Sequence, residues 1–368
     1  MSKLVPETIV RGWYPIGVSS DFPSREKPVA VNLWGRKLAV YRDSQENLVA
    51  VSSVCPHVGA SLLLGEVQGN ALICPYHRWG FEAGVCTSVP AQPDQRVPTH
   101  ALLENYPIHE DASSSLVWLY VGTSFADDCK PPAVPFFADK RFRCVVGQSL
   151  WQAPLPLVAE NLMDVAHVHA THAFGDCSYS RVEPYEVVRG AWGGSARVEY
   201  KLSETGALFM PGDRVTRAGL TPIEVTMFFP SAILVRFQSG QYELAVFTVL
   251  TPETNSTTRL RYFFFRNYFN KGPELYLKLV DLFASLNIFH ILKEDQRVVE
   301  TIELEGQLPR ITLRSDAFPA FYRELWRKNG LAEVEPGTCM AASGKQPLPS
   351  LMRGRNPAYE RFCVRSFR

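Results

Sequence analysis

The chain has 368 residues, of which 46% are apolar and 20% charged, and its formal net charge is +1. This is the composition of a folded protein with ample core, which excludes the disordered class. So even a charge balance gives no electrostatic case for nucleic acid or a membrane as partner. No apolar run stands out as a bilayer span, and Met1-Ser2-Lys3-Leu4-Val5-Pro6 lacks a signal-peptide core, so the expected location is cytoplasmic.

The stretch from 8 to 122 reads as many short strands. Ala30 to Arg42 and Leu48 to Val54 flank a turn at Asp43-Ser44-Gln45-Glu46-Asn47, and further strands fall at Ala71–Cys74 and Leu116–Gly122. Thr123 to Pro135 is rich in Asp and Pro and reads as a linker. A helix is predicted over 155–173, after Pro154 and Pro156. Strands follow at 185–201, 222–228, 231–238, 241–250 and 257–269, rich in Val, Phe, Tyr and Thr. Pro273 opens a long helix to about 305, and the last residues form an irregular tail. Domains are expected at 8–125 and 126–335, with the tail at 336–368. The fold class is α+β.

Eight cysteines without a secretion signal do not imply disulfides. Two of them stand beside histidines: Cys55-Pro56-His57, then Cys74-Pro75-Tyr76-His77. Each half offers one thiolate and one imidazole. Two thiolates on one iron and two imidazoles on the other make a Rieske [2Fe–2S] centre. A zinc finger places its cysteine pair first and its histidine pair later, so the interleaved order fits zinc poorly. Cys86 lies near but has no histidine at the right offset.

A second constellation runs Glu160-Asn161-Leu162-Met163-Asp164-Val165-Ala166-His167-Val168-His169-Ala170-Thr171-His172. Asp164 and His167 share a helical face. Two imidazoles with a remote carboxylate form the facial triad of non-heme Fe(II). His167, His169 and His172 compete for two places. In the late helix, Asp295 falls on the face of Ile288, Ile291, Leu292, Val298, Val299 and Ile302, an inward apolar face. A carboxylate there needs a metal or a partner, so Asp295 is the expected third ligand. Glu294 is expected on the solvent side, with Asn287, His290, Arg297 and Thr301. No phosphate loop or dinucleotide fingerprint is present, so electrons are expected from a separate ferredoxin or flavin reductase.

The segments Val54-Cys55-Pro56-His57-Val58-Gly59-Ala60-Ser61-Leu62 and Cys74-Pro75-Tyr76-His77-Arg78-Trp79-Gly80-Phe81 resemble the cluster loops of Rieske non-heme iron oxygenases. The family commonly has Arg where Val58 stands. It commonly reads His-Gly-Trp, against His77-Arg78-Trp79-Gly80 here. Ser115 stands where Gly is usual before Leu116-Val117-Trp118. The family pattern Asn-x-x-Asp-x-x-His-x₄-His falls on Asn161, Asp164, His167 and His172, which leaves His169 out. Lys293 to Glu300 resembles the third-ligand helix of the vanillate and dicamba O-demethylase branch.

The resemblance implies a helix-grip-like antiparallel sheet around a funnel to the mononuclear iron. Strands 222–269 and helix 275–292 would line it, with Ser285 and Asn287 as polar anchors. It implies a head-to-tail homotrimer. There Asp164 would bridge to His77 of a neighbour, and Asn161 would face the iron. The implied activity is O₂-dependent monooxygenation, as hydroxylation or oxidative demethylation of a small apolar or aromatic substrate. Desaturation or tailoring hydroxylation of a natural product is the near alternative. An electron carrier using the cluster alone is the distant one.

Overall fold

The computed structural model describes residues 9–23, 26–122, 129–172, 186–200, 221–303 and 311–331. In chain order the strands are β1 (Gly12–Val18), β2 (Val29–Leu33), β3 (Arg36–Arg42), β4 (Leu48–Ser52), β5 (Glu66–Gln68), β6 (Ala71–Ile73), β7 (Gly80–Glu82), β8 (Val85–Ser88), β9 (Asn105–Tyr106), β10 (Ile108–Glu110), β11 (Leu116–Val121) and β12 (Arg143–Trp151). Helices α1 (Leu155–Met163) and α2 (Val168–Thr171) follow, then β13 (Glu186–Gly190), β14 (Gly193–Tyr200), β15 (Thr221–Phe228), β16 (Ala232–Ser239), β17 (Tyr242–Pro252) and β18 (Thr258–Arg266). The chain continues through α3 (Glu274–Val299) and α4 (Ala317–Lys328). The expected tail at 336–368 lies outside the described residues, as do Cys177, Cys339 and Cys363.

The described residues form two compact units. The smaller takes in 26–29 and 39–106; the larger takes in 9–23, 30–38 and 107–331. In the smaller unit β5, β6, β7 and β8 form one antiparallel sheet, and β4 pairs with β9 through Ala50 and Tyr106. Its core is small and dense: Tyr41, Val51, Leu62, Leu72 and Phe81 bury against Cys55 and Cys74. The two thiols are thus part of the packing that fixes their own loops.

The larger unit is built on a seven-stranded antiparallel sheet of order β12-β18-β17-β16-β15-β14-β13. A three-stranded sheet, β1-β11-β10, completes it. The run expected as one strand over 185–201 is a hairpin, with Gly190 opposite Gly193. Gly193 sits at φ +153°, and a Cβ there would meet the Met227 carbonyl oxygen at 2.2 Å, so only glycine closes this turn against β15. Trp151, Phe247, Tyr262 and Phe265 are buried.

Helix α3 is tied to the sheet edge by polar contacts. Asp281 accepts from Arg143 Nε at 2.7 Å and from Arg266 Nη2 at 2.6 Å. Gln296 Nε2 donates to the Leu150 carbonyl at 3.0 Å. α3 is also long and apolar enough, by length and composition, to cross a bilayer, which corrects the sequence expectation that no run qualifies. Val298 and Ile302, expected inward, are 52% and 42% exposed.

The helix expected over 155–173 is two helices. Asp164 leaves the helical region at φ −70°, ψ 120°, and its Oδ1 accepts from the Ala166 backbone N–H at 2.7 Å. A short side-chain carboxylate bonding two residues ahead competes with helix continuation, and here it wins. Asp164 and His167 are therefore neighbours across a turn, not along one helical face.

Candidate metal centres

Cys55 and Cys74 head two loops with the same backbone plan. In the first, Gly59 N–H donates to the Cys55 carbonyl at 3.0 Å and Cys55 N–H to the Ala60 carbonyl at 2.9 Å. In the second, Arg78 N–H donates to the Cys74 carbonyl at 3.1 Å and Cys74 N–H to the Trp79 carbonyl at 2.8 Å. The fifth residue of each loop is left-handed: Gly59 at φ +81° and Arg78 at φ +62°. The family's usual glycine therefore falls at a position that needs one, and this chain places arginine there. The Arg78 guanidinium meets Glu66 Oε1 at 2.5 Å on the surface. Ser115, the other departure from a usual glycine, is also left-handed, at φ +59°.

The thiols of Cys55 and Cys74 lie inside, at 2% and 1% exposure, while His57 is exposed and His77 half-buried. The two imidazoles meet edge-on at 4.7 Å between centroids, and Trp79 stacks on His57 at 4.4 Å. His77 Nδ1 is buried without a hydrogen-bond partner. Burial above all, with Cys74 beside it, pushes the Cys55 thiol up to about 11. Such thiols ionise only against strong positive charge, which an iron pair supplies. Buried sulfurs below and outward imidazoles above fit a cluster with one sulfur-bound and one histidine-bound iron. Cys86 stays outside this set: its Sγ donates to the Ser88 carbonyl at 3.7 Å. No disulfide occurs among the described cysteines.

In the larger unit His167, His172 and Asp295 converge, with one donor atom of each within 4.8 Å of the others. Nε2 of both histidines lies 3.2 Å from the same oxygen, Asp295 Oδ1. That oxygen is buried and makes no hydrogen bond. Burial pulls the His167 pKa down, but the Asp164 and Asp295 carboxylates outweigh it and hold it at about 9. Burial pushes Asp295 up, and the two imidazoles more than reverse this. A buried carboxylate oxygen facing two imidazole nitrogens is the donor set for a divalent iron with open positions. Asp295 is inward as the helical period predicts. The side chain of His169 lies outside the described residues.

Glu294 corrects the sequence reading. Rather than facing solvent, its Oε2 lies 2.9 Å from His172 Nδ1. Its Oε1 lies 3.3 Å from Nε2 of His290, which is itself 75% exposed. Each ligand histidine has Nε2 toward the metal position and Nδ1 toward a carboxylate, but only His172 is hydrogen-bonded there: Asp164 Oδ2 lies 3.7 Å from His167 Nδ1, which makes no hydrogen bond. A carboxylate behind an imidazole fixes its tautomer and orientation. Helical spacing alone could not find Glu294, because its partner comes from another segment. Asn161 Oδ1 is buried without a hydrogen-bond partner. Asn287, an expected anchor, donates back to the Phe283 carbonyl at 2.7 Å. A cleft of about 460 Å³ lined by Val18, Ser114, Arg261 and Phe263 includes none of the triad residues.

Comparison with known proteins agrees with this geometry. A family model described as the Rieske [2Fe-2S] domain matches residues 12–107, and one described as the vanillate O-demethylase oxygenase C-terminal domain matches 151–331. Methylxanthine N1-demethylase NdmA of Pseudomonas putida is 28% identical over 301 residues, 78% of this chain and 80% of that protein. Methylxanthine N3-demethylase NdmB of the same organism is 24% identical over 337 residues, 88% of this chain and 90% of that one. The solved structure of NdmA with caffeine matches at TM-score 0.66 and 25% identity, over 86% of this chain and 89% of that one. Dicamba monooxygenase bound to 3,6-dichlorosalicylic acid shares the fold at TM-score 0.71 and 24% identity, over 87% and 97% of the two chains. The donors for a [2Fe–2S] cluster and for a mononuclear iron thus lie in the two matched stretches, in the same order. The chain belongs to the Rieske-type oxygenases, as a catalytic subunit related to the vanillate and dicamba demethylase branch.

Proposed function

We propose that this chain uses O₂ and externally supplied electrons to hydroxylate or oxidatively demethylate a small, largely apolar or aromatic substrate. The observation that carries this is the convergence of His167, His172 and Asp295 in a chain that also holds the two cluster loops. An electron carrier has no use for the triad. When bound, the cluster supplies single electrons and the mononuclear iron supplies O₂ activation.

The residues divide the work. Cys55, His57, Cys74 and His77 would hold the cluster. His167, His172 and Asp295 would hold the iron. Asp164 orients His167 from behind, and in a head-to-tail homotrimer its other side would meet His77 of the partner subunit. Asn161, whose amide oxygen is buried without a hydrogen-bond partner, would serve as a weak ligand or water holder. The exposed rim of Val58 (56%) and Tyr76 (66%) beside His57 suits docking of a ferredoxin or flavin reductase. Supporting an external donor, residues of this chain are 35% identical over 128 positions to Oxidoreductase NdmD of Pseudomonas putida, covering 34% of this chain and 20% of that protein. Domains at 8–125 and 126–335, a tail at 336–368, and a cytoplasmic location belong to the same reading.

The test is a substrate screen under O₂ with a surrogate ferredoxin and reductase, read by product mass. N-methylated aromatics come first, because relatives named as methylxanthine demethylases span most of the chain, and methoxylated aromatics follow from the match to the vanillate O-demethylase C-terminal domain. A product heavier by one oxygen, or lighter by CH2 with formaldehyde released, supports the proposal. Electron uptake with no product from any aromatic or apolar class would refute it.

A further inference from the structure

The seven-stranded sheet carries a cleft on the side away from α3. Val146 pairs with Phe263 and Gln148 with Arg261 across β12 and β18. Side chains alternate along a strand, so these four share one face. Their neighbour Ser149 points the other way, where its Oγ donates to Gln296 Oε1 of α3 at 3.3 Å. Gln296 follows Asp295 directly in the chain. The sheet therefore stands between the cleft and the iron donors, and iron chemistry does not account for the cleft.

The four side chains make its floor, and the end of β1 and the turn before β11 complete the walls around about 460 Å³. That is the size of a small-molecule site. Val146, in mid-strand, is 53% exposed there. On the rim Ser115 is held left-handed at φ +59°, and strain of this kind in a non-glycine residue clusters at binding sites.

The polar groups left over are mostly donors. Arg261 Nη2 donates to Asp21 Oδ2 at 3.2 Å and to Gln148 Oε1 at 3.4 Å. Asp21 Oδ2 also accepts from the Val18 backbone N–H at 2.9 Å. Among the described residues Arg261 Nε and Nη1, Gln148 Nε2 and the hydroxyls of Ser20 and Ser115 have no hydrogen-bond partner. The Arg261 side chain is only 18% exposed, so its charge is partly withdrawn from water. A guanidinium so placed suits a carboxylate, which it meets with charge-assisted hydrogen bonds.

We propose that this cleft binds a small carboxylate with an apolar or aromatic body, at a site separate from the iron. Arg261 and Gln148 hold the acid group, with the hydroxyls of Ser20 and Ser115 beside them. The body lies along Val146 and Phe263. Asp21 already takes one nitrogen of Arg261, so the site accepts a single carboxylate. The site goes beyond the proposed function and does not depend on it.

The experiment uses the full-length protein loaded with cluster and iron, benzoate as the probe and titration calorimetry as the readout. Benzoate should bind at millimolar concentrations or below, and neutral benzamide about tenfold more weakly. Arg261→Gln should weaken benzoate by about tenfold while the iron content stays at the wild-type value, which shows that the larger unit is folded. Val146→Trp fills the cleft without touching its charge and should also block benzoate. Asp295→Ala should bind benzoate as the wild type does. Absence of benzoate binding at millimolar concentrations overturns the proposal. So does equal binding by the wild type, Arg261→Gln and Val146→Trp. Binding that is lost in Asp295→Ala and kept in Arg261→Gln would place the acid at the iron site and overturn it as well.

Discussion

The two metal centres are built in opposite ways. The cluster loops are local structures: each cysteine and histidine pair lies within one short turn, and the two turns repeat the same pair of backbone hydrogen bonds. The iron triad is assembled by packing. His167 and His172 flank a four-residue helix, while Asp295 arrives from α3 and is brought in by the buried side of that helix. Local loops hold their ligands by backbone geometry. A packed triad holds them by side chains: Glu294 lies 2.9 Å from His172 Nδ1, and the Asp164 carboxylate faces His167 Nδ1 at 3.7 Å. The first design tolerates distant substitutions. The second depends on side chains that are not ligands.

That contrast can be broken most severely at the ligands. Asp295→Ala should abolish turnover and lower the iron content from three atoms per chain to two, with the Rieske spectrum unchanged. Cys74→Ser should do the reverse, removing the Rieske spectrum while about one iron remains, as metal analysis would report. If either substitution empties both sites, the centres are not structurally independent.

A smaller effect is expected at Asp164. Asp164→Asn keeps the side-chain size and should leave both metals bound, yet cut coupled turnover by at least 100-fold. Full activity in this variant would remove Asp164 from the electron path. Glu294→Ala should weaken Fe(II) binding by about 10- to 100-fold, measured by competition with a chelator, with the cluster untouched. Glu294→Gln should recover much of that loss, because an amide oxygen still accepts from His172 Nδ1. Equal affinity in all three proteins would show that the 2.9 Å contact does not orient the ligand.

The smallest effect concerns the paired loops. A left-handed non-glycine residue costs about 1–2 kcal/mol, and the exposed Arg78–Glu66 pair returns about 0–1. Arg78→Gly should therefore stabilise the protein slightly, by up to about 1 kcal/mol, in thermal unfolding. Gly59→Arg, at the equivalent position of the other loop, should destabilise it by a similar amount. A marked loss of stability in Arg78→Gly would mean that the arginine side chain does more than tolerate its backbone.

These differences explain what the sequence could show. Cysteine and histidine spacing is legible because the loops that use it are local. Asp295 was legible because a helical period puts it inward among Ile288 and Leu292. Glu294 was not, since its value depends on His172, more than a hundred residues away. The break at Asp164 was hidden because an aspartate in a helix-like run does not announce that its carboxylate will bond Ala166. Arg78 and Ser115 looked like losses of a glycine; the backbone shows that the left-handed turns survived them. Val298 and Ile302 were placed on the inward face by the same period, but they are exposed, and Ile302 lies beyond the end of the helix.

The central claim is that one chain holds both centres, and counting iron in the Rieske-positive protein tests it most directly. Metal analysis together with EPR of the reduced protein should give three irons per chain, two of them in the cluster signal. A reproducible value of two, with all of the iron in the cluster signal after anaerobic loading with Fe(II), would contradict the account.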